Sequence, residues 1–208
     1  MGIKCFWLEP TDRQKRYLRR YNGALKCSAP KSYHDAMVFL DESREVMRED
    51  GRCWTDDGKT AADFRSSQGD HPLWPTRCLC GYEFQPGDEW QLFSSHIYRR
   101  ADTGEEMTLR DAPDGAMWDA TWFHDIPGWC GPDGRAIMCR VPHNHDWHVD
   151  GPCNNCTRPN EPHKCWVRHG EPPNLTIDKR GDTCAAGQGS ILTPTWHGFL
   201  RGGELVAC

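Results

Sequence analysis

The sequence predicts an α+β domain that is predominantly β: small antiparallel hairpins and sheet, one N-terminal helix, many loops, and a cysteine-rich zinc site. Three observations predict it. Short runs of strand-forming residues recur on either side of tight-turn signals. Twenty glycines and fifteen prolines punctuate the rest of the chain. Twelve cysteines accompany a hydrophobic content of only 37%, so cross-links are expected to supplement a modest core.

The helix is expected just after the start. Thr11-Asp12-Arg13-Gln14 has the form of a capping box, Gly23 suits a helix stop, and Tyr17, Leu18 and Tyr21 would share an apolar face. Arg13, Lys15, Arg16, Arg19 and Arg20 would lie opposite, as a solvated face or a docking surface for an acidic partner. Residues 36–40 read as a buried strand. A polar loop over 41–72 is expected to separate this helix and strand from a Cys- and Trp-rich β segment, 73–208, within a single domain.

Beyond the loop the pattern is β. Trp90–Phe93 reads as a strand, and His96–Arg100 with Glu106–Arg110 flank the turn residues Asp102-Thr103-Gly104. Ala136–Val141 and Asp146–Asp150 form a second expected hairpin, with Cys139 as a small core residue. His197–Arg201 and Glu204–Val206 bracket Gly202-Gly203, whose two glycines permit the positive φ angles of a two-residue turn. The ten tryptophans are assigned first to packing, because aliphatic residues are scarce.

Net charge of −5 argues against a general nucleic-acid binder, and no apolar run reaches the length of a membrane span. The opening residues, Met1–Trp7, run directly to Glu9 and Pro10 without the apolar stretch of a secretory signal. The cysteines are therefore read as metal ligands rather than disulfides. Cys78-x-Cys80-Gly81 and Cys153-x₂-Cys156-x₆-His163-x-Cys165 have the local spacing of structural zinc sites. Tetrahedral zinc needs four ligands and these segments supply six. The expectation is one site built across the gap, or two that recruit Cys130 or Cys184.

Catalytic patterns are weaker. His143-Asn144-His145-Asp146-Trp147-His148 approaches the metal-binding signature of metallo-β-lactamase-like hydrolases, but its Asp stands one position early, and alternation on a strand would point His148 away from His143 and His145. Gly187-Gln188-Gly189 is a turn without a third glycine.

Several blocks carry a resemblance: Trp7–Thr11, Leu18–Tyr21, Cys78–Phe84, Ile97–Glu105, Gly131–Gly134, Asn155–Thr157, Cys165–Gly170, Pro172–Thr176 and His197–Leu200. Together they resemble a family of uncharacterised proteins of tailed bacteriophages and prophages, over nearly all of the chain outside 41–70. The resemblance implies synthesis in a bacterial cytoplasm and brings no activity. The expectation is a non-enzymatic virion component, a head or tail decoration subunit with structural zinc, whose partners are other virion proteins or copies of itself. The alternatives are a metal-dependent hydrolase using His143, His145 and His148, and a zinc-stabilised host-directed or nucleic-acid-binding protein using the basic helix.

Overall fold

The computed structural model describes residues 2–28, 33–47, 53–55, 75–153, 155–161, 163–184 and 189–208. They form two compact units. One comprises Met1–Glu9 with Arg99–Cys208, and the other Pro10–Tyr98. The packing divides the chain near residues 9 and 98. Among the described residues no helix is long and apolar enough to cross a membrane.

The expected N-terminal helix does not form. Phe6–Lys26 is one long strand, β2, following the short strand β1 at Ile3–Lys4. In the second unit β2 pairs antiparallel with β3, Tyr33–Met47, from Arg13↔Arg44 to Lys26↔Tyr33. Cross-strand pairing overrides the helix propensity of an Arg- and Lys-rich run. Burial follows the two-residue period of a strand: Gln14, Arg16 and Arg20 are buried, while Arg13, Lys15, Tyr17 and Arg19 are half-buried.

The five basic residues therefore divide between two faces instead of sharing one. Thr11, the expected cap, donates its hydroxyl to the Ile97 carbonyl at 2.7 Å and accepts the Arg13 N–H at 3.2 Å. Gly23 lies within a register irregularity between Asn22 and Lys26, where the Asn22 side-chain oxygen accepts the N–H groups of Ala24 and Leu25.

β3 carries the strand expected at 36–40 through Met47, into the segment expected to be loop. There it pairs with β4, Cys53–Thr55. The remainder of the expected loop lies outside the described residues. β5, Glu89–Arg100, includes the strand expected at 90–93 and pairs with β2 and with β6, Glu106–Thr108. Gly104 adopts φ +75° in the intervening turn.

The other unit holds the larger core. β7 (Ala116–Asp119) runs parallel to the first residues of β2, then antiparallel to β8 (Ile137–Val141), which pairs with β9 (His145–His148). β10 (Val167–His169) pairs with β11 (Thr176–Asp178). A four-stranded antiparallel sheet runs β1, β14 (Glu204–Ala207), β13 (His197–Arg201), β12 (Ile191–Leu192).

Cys5, Met117, Ile137, Cys139, Val141, Leu175, Ile191, Leu200 and Leu205 meet in its core, with Trp7, Trp147, Trp166 and Trp196 packed around them. All of β8 is buried, so both its faces are covered and alternation is lost. The hairpins at 143–144 and 202–203 form as expected, with positive φ at both central residues of each.

Candidate metal centres

Each unit brings together one group of side chains that could hold a metal ion. Cys27, His34, Cys78 and Cys80 form the first. Cys153, Cys156, Cys165 and Cys184 form the second. Within each group the four donor atoms lie within 4.8 Å of one another.

The first centre is built on a tight turn. An isolated bridge between Arg77 and Glu83 closes it, Cys78 N–H donates to the Tyr82 carbonyl, and Gly81 N–H donates to the Cys78 carbonyl, each at 2.9 Å. Gly81 takes φ +91°, a conformation that L side chains rarely adopt. This turn projects both thiols toward Cys27, just past the end of β2, and His34 on β3.

Cys27 Sγ is 3.8 Å from Cys78 Sγ, and His34 Nδ1 is 3.2 Å from Cys80 Sγ. For a tetrahedral ion with ordinary zinc bond lengths, the sulfur–sulfur edge is about 3.8 Å and the sulfur–nitrogen edge about 3.5 Å. His34 stacks on Tyr82 at 4.1 Å, which fixes the ring plane. Burial pushes the Cys78 thiol up, but the backbone N–H groups of Cys80 and Asp35, with the His34 and Cys80 side chains, pull it down to about 6.

The second centre uses two chain segments. Cys153 and Cys156 share a turn in which Cys156 N–H donates to the Cys153 carbonyl at 3.2 Å, and Arg158 N–H donates to Cys156 Sγ at 3.3 Å. A parallel bridge between Lys164 and Thr183 then sets Cys165 beside Cys184. Cys153 Sγ and Cys184 Sγ are 3.6 Å apart, again near a tetrahedral edge.

His163 adds a donor: its Nε2 lies 3.1 Å from Cys156 Sγ and 3.7 Å from Cys165 Sγ. The Lys179 ammonium donates to the Cys165 and Cys184 carbonyls and stands 3.5 Å from Cys184 Sγ, with the Trp166 ring 5.0 Å away. It supplies positive charge where thiolates would gather. Burial pushes the Cys165 thiol up to about 12 and raises Cys153 as well, so metal uptake here must displace protons.

Of the six ligands expected from sequence, Cys78 and Cys80 fall in one group and Cys153, Cys156 and Cys165 in the other, while His163 stands outside both, beside Cys156 and Cys165. There are two centres, not one across the gap. The second recruits Cys184, while Cys130 joins neither group and its thiol faces the Phe123 and His124 carbonyls. Cys27 and His34 were not expected. The signal that could have found them is arithmetic: a pair supplying two donors needs two more, and Cys27-x₆-His34 is another close pair of soft ligands. Among the described cysteines none is in a disulfide.

Arg19 pairs with Asp35 at 2.9 Å, and Arg20 donates to the carbonyls of Pro75 and Gln85, so two of the basic residues serve contacts within the second unit. Among the described residues His143, His145 and His148 join no metal-holding group. Asp146 is engaged by Arg140 through two hydrogen bonds of 2.8 and 3.2 Å. His143 and His145 are exposed, whereas the His148 ring stacks on Phe123 at 4.9 Å and packs on Trp129 at 5.3 Å.

Gly187-Gln188 lies outside the described residues. Compared with known proteins, the chain matches no family model, and neither a curated protein nor a solved structure is similar to it.

Proposed function

We propose that the protein is a non-enzymatic β scaffold held by two structural zinc ions, one in each unit. The observation that carries this reading is the convergence of both clusters: four soft donors from distant segments, all within 4.8 Å of one another, with a sulfur–sulfur distance of 3.8 Å in the first and 3.6 Å in the second. Sites completed entirely by thiolates and imidazole serve structure, whereas catalytic zinc keeps a position for water or substrate. Sulfur donors, joined by one imidazole in the first site, suit zinc over the hard, oxygen-seeking ions.

The purified protein should carry two equivalents of zinc by elemental analysis. Because neither site is held by contiguous sequence, a strong chelator should lower stability markedly. No bound metal together with mapped disulfides among these cysteines would refute the reading.

We propose a virion accessory subunit as its biological role, with other virion proteins or copies of itself as partners. What supports that role is the resemblance of the sequence blocks at 7–11, 78–84, 97–105 and 165–176 to a family of tailed-phage proteins. Mass spectrometry of purified particles tests it: the chain should appear at defined copy number, and absence from particles would leave a host-directed role.

A further inference from the structure

Beside the four thiols of the second centre stands one more soft donor, His163 Nε2, within 3.7 Å of two of them. We propose that His163 is an exchangeable ligand there: four thiolates hold the metal, and His163 takes over the position of Cys156 when that thiolate is lost. The proposal rests on the two-zinc reading and concerns how one of its sites responds to damage.

The tautomer of His163 is set by its neighbour. Nδ1 lies 2.7 Å from the Glu161 carbonyl oxygen, which can only accept, so Nδ1 carries the proton and Nε2 presents a lone pair. That lone pair faces the cluster, 3.1 Å from Cys156 Sγ and 3.7 Å from Cys165 Sγ. Both distances are near the sulfur–nitrogen edge of a zinc tetrahedron, about 3.5 Å. A ring already oriented by an outer hydrogen bond needs little rearrangement to ligate. Arg158 reinforces this loop by pairing with Glu161 at 2.7 Å and with Asp182, tying the carbonyl that orients His163 to the segment leading to Cys184.

The exchange is specific to Cys156. It is the sulfur nearest Nε2 and is half-exposed, whereas Cys165 and Cys184 are buried. Cys184 is also held by the charge of Lys179 at 3.5 Å.

The test compares Cys156→Ser, His163→Ala, the double variant and Cys78→Ser by zinc content, and by the thiolate-to-cobalt charge-transfer intensity of the cobalt-loaded proteins. His163→Ala should keep two metals with unchanged intensity. Cys156→Ser should keep two metals, with the intensity lowered by one thiolate. The double variant and Cys78→Ser should each lose one metal.

Loss of metal from His163→Ala would overturn the proposal, because His163 would then be a resident ligand. Loss of metal from folded Cys156→Ser would overturn it too. Should Cys156→Ser not fold, limited alkylation of Cys156 in the zinc-loaded wild type decides: zinc retained there but released from identically treated His163→Ala supports exchange, and release from both refutes it. Wild-type protein without metal would instead sink the two-zinc reading itself.

Discussion

Arg168 Nε lies 2.9 Å from Asp150 Oδ1, with both side chains almost wholly buried in the unit that carries the larger core. Asp133 pairs with the same guanidinium, and the other Asp150 oxygen accepts the Ile137 N–H at 3.0 Å. Burial pushes the Asp150 carboxyl up against those two favourable partners. Removing Arg168 would leave that charge buried and unpaired. Arg168→Met should therefore cost about 3–5 kcal/mol.

A Cβ on Gly131 would fall inside the guanidinium of Arg168, so Gly131→Ala should displace the pair and cost a comparable amount. The two substitutions should be strongly non-additive in denaturant unfolding, since each removes the same contact.

The two glycines of the last hairpin should not be equivalent. A Cβ at Gly202 meets nothing within 4 Å, whereas one at Gly203 would meet the Pro173 carbonyl oxygen at 2.8 Å and Asn174 Cα at 3.0 Å. Gly202→Asn should be tolerated, because Asn accepts positive φ. Gly203→Ala should cost about 1–3 kcal/mol through strain and displaced backbone. Thermal unfolding of the two variants side by side checks the asymmetry.

The three histidines near the β8–β9 turn should separate in the same way. His143 holds φ +69°, and its N–H and that of Asn144 donate to Asp114 at 3.2 and 3.1 Å. His143→Gly should be neutral or stabilising by up to about 1 kcal/mol. His148→Asn should cost about 1–2 kcal/mol, because it removes ring contacts with both Phe123 and Trp129. Neither substitution should change zinc content.

Asp88 gives the pH prediction. Burial pushes its carboxyl up, but the Gln85 N–H, the Tyr82 hydroxyl, the Asn22 amide and the charge of Arg20 together hold it below the usual carboxylate range. A depressed folded-state pKa contributes stability that is fully present above the unfolded value near 4 and disappears as pH falls through the folded one. The stability difference between wild type and Asp88→Asn should be largest near pH 6 and shrink below about pH 4. A difference that grew on acidification would reverse the sign.

The hairpins were legible because their information is local: Gly202-Gly203 and Asp102-Thr103-Gly104 announce turns whatever surrounds them. The long strand β2 was not legible. Thr11-x-x-Gln14 and the basic run at 13–20 fit a helix locally, and only a partner elsewhere in the chain turns Gln14, Arg16 and Arg20 inward. The metal centres were half legible for the same reason. Cys153-x₂-Cys156 is a local signature, but Cys27 meets Cys78 across more than fifty positions, and spacing carries no trace of that meeting. Burial on both faces left β8 without an alternating pattern, yet its apolar run beside a turn was enough to mark the strand expected at 136–141.

The pairing of β1 with β14, Ile3 opposite Leu205, has a consequence for the order in which a newly made chain can assemble. Pro10–Tyr98 is contiguous, and all four donors of its centre are made before β7 and β14. Residues 3–7 lie more than a hundred positions before their partners on β7 and β14, so they are made well before either strand can pair with them. Until those partners are made, residues 3–7 lack the strands they pair with in the fold, and an unpaired strand edge is where premature association between nascent chains would start.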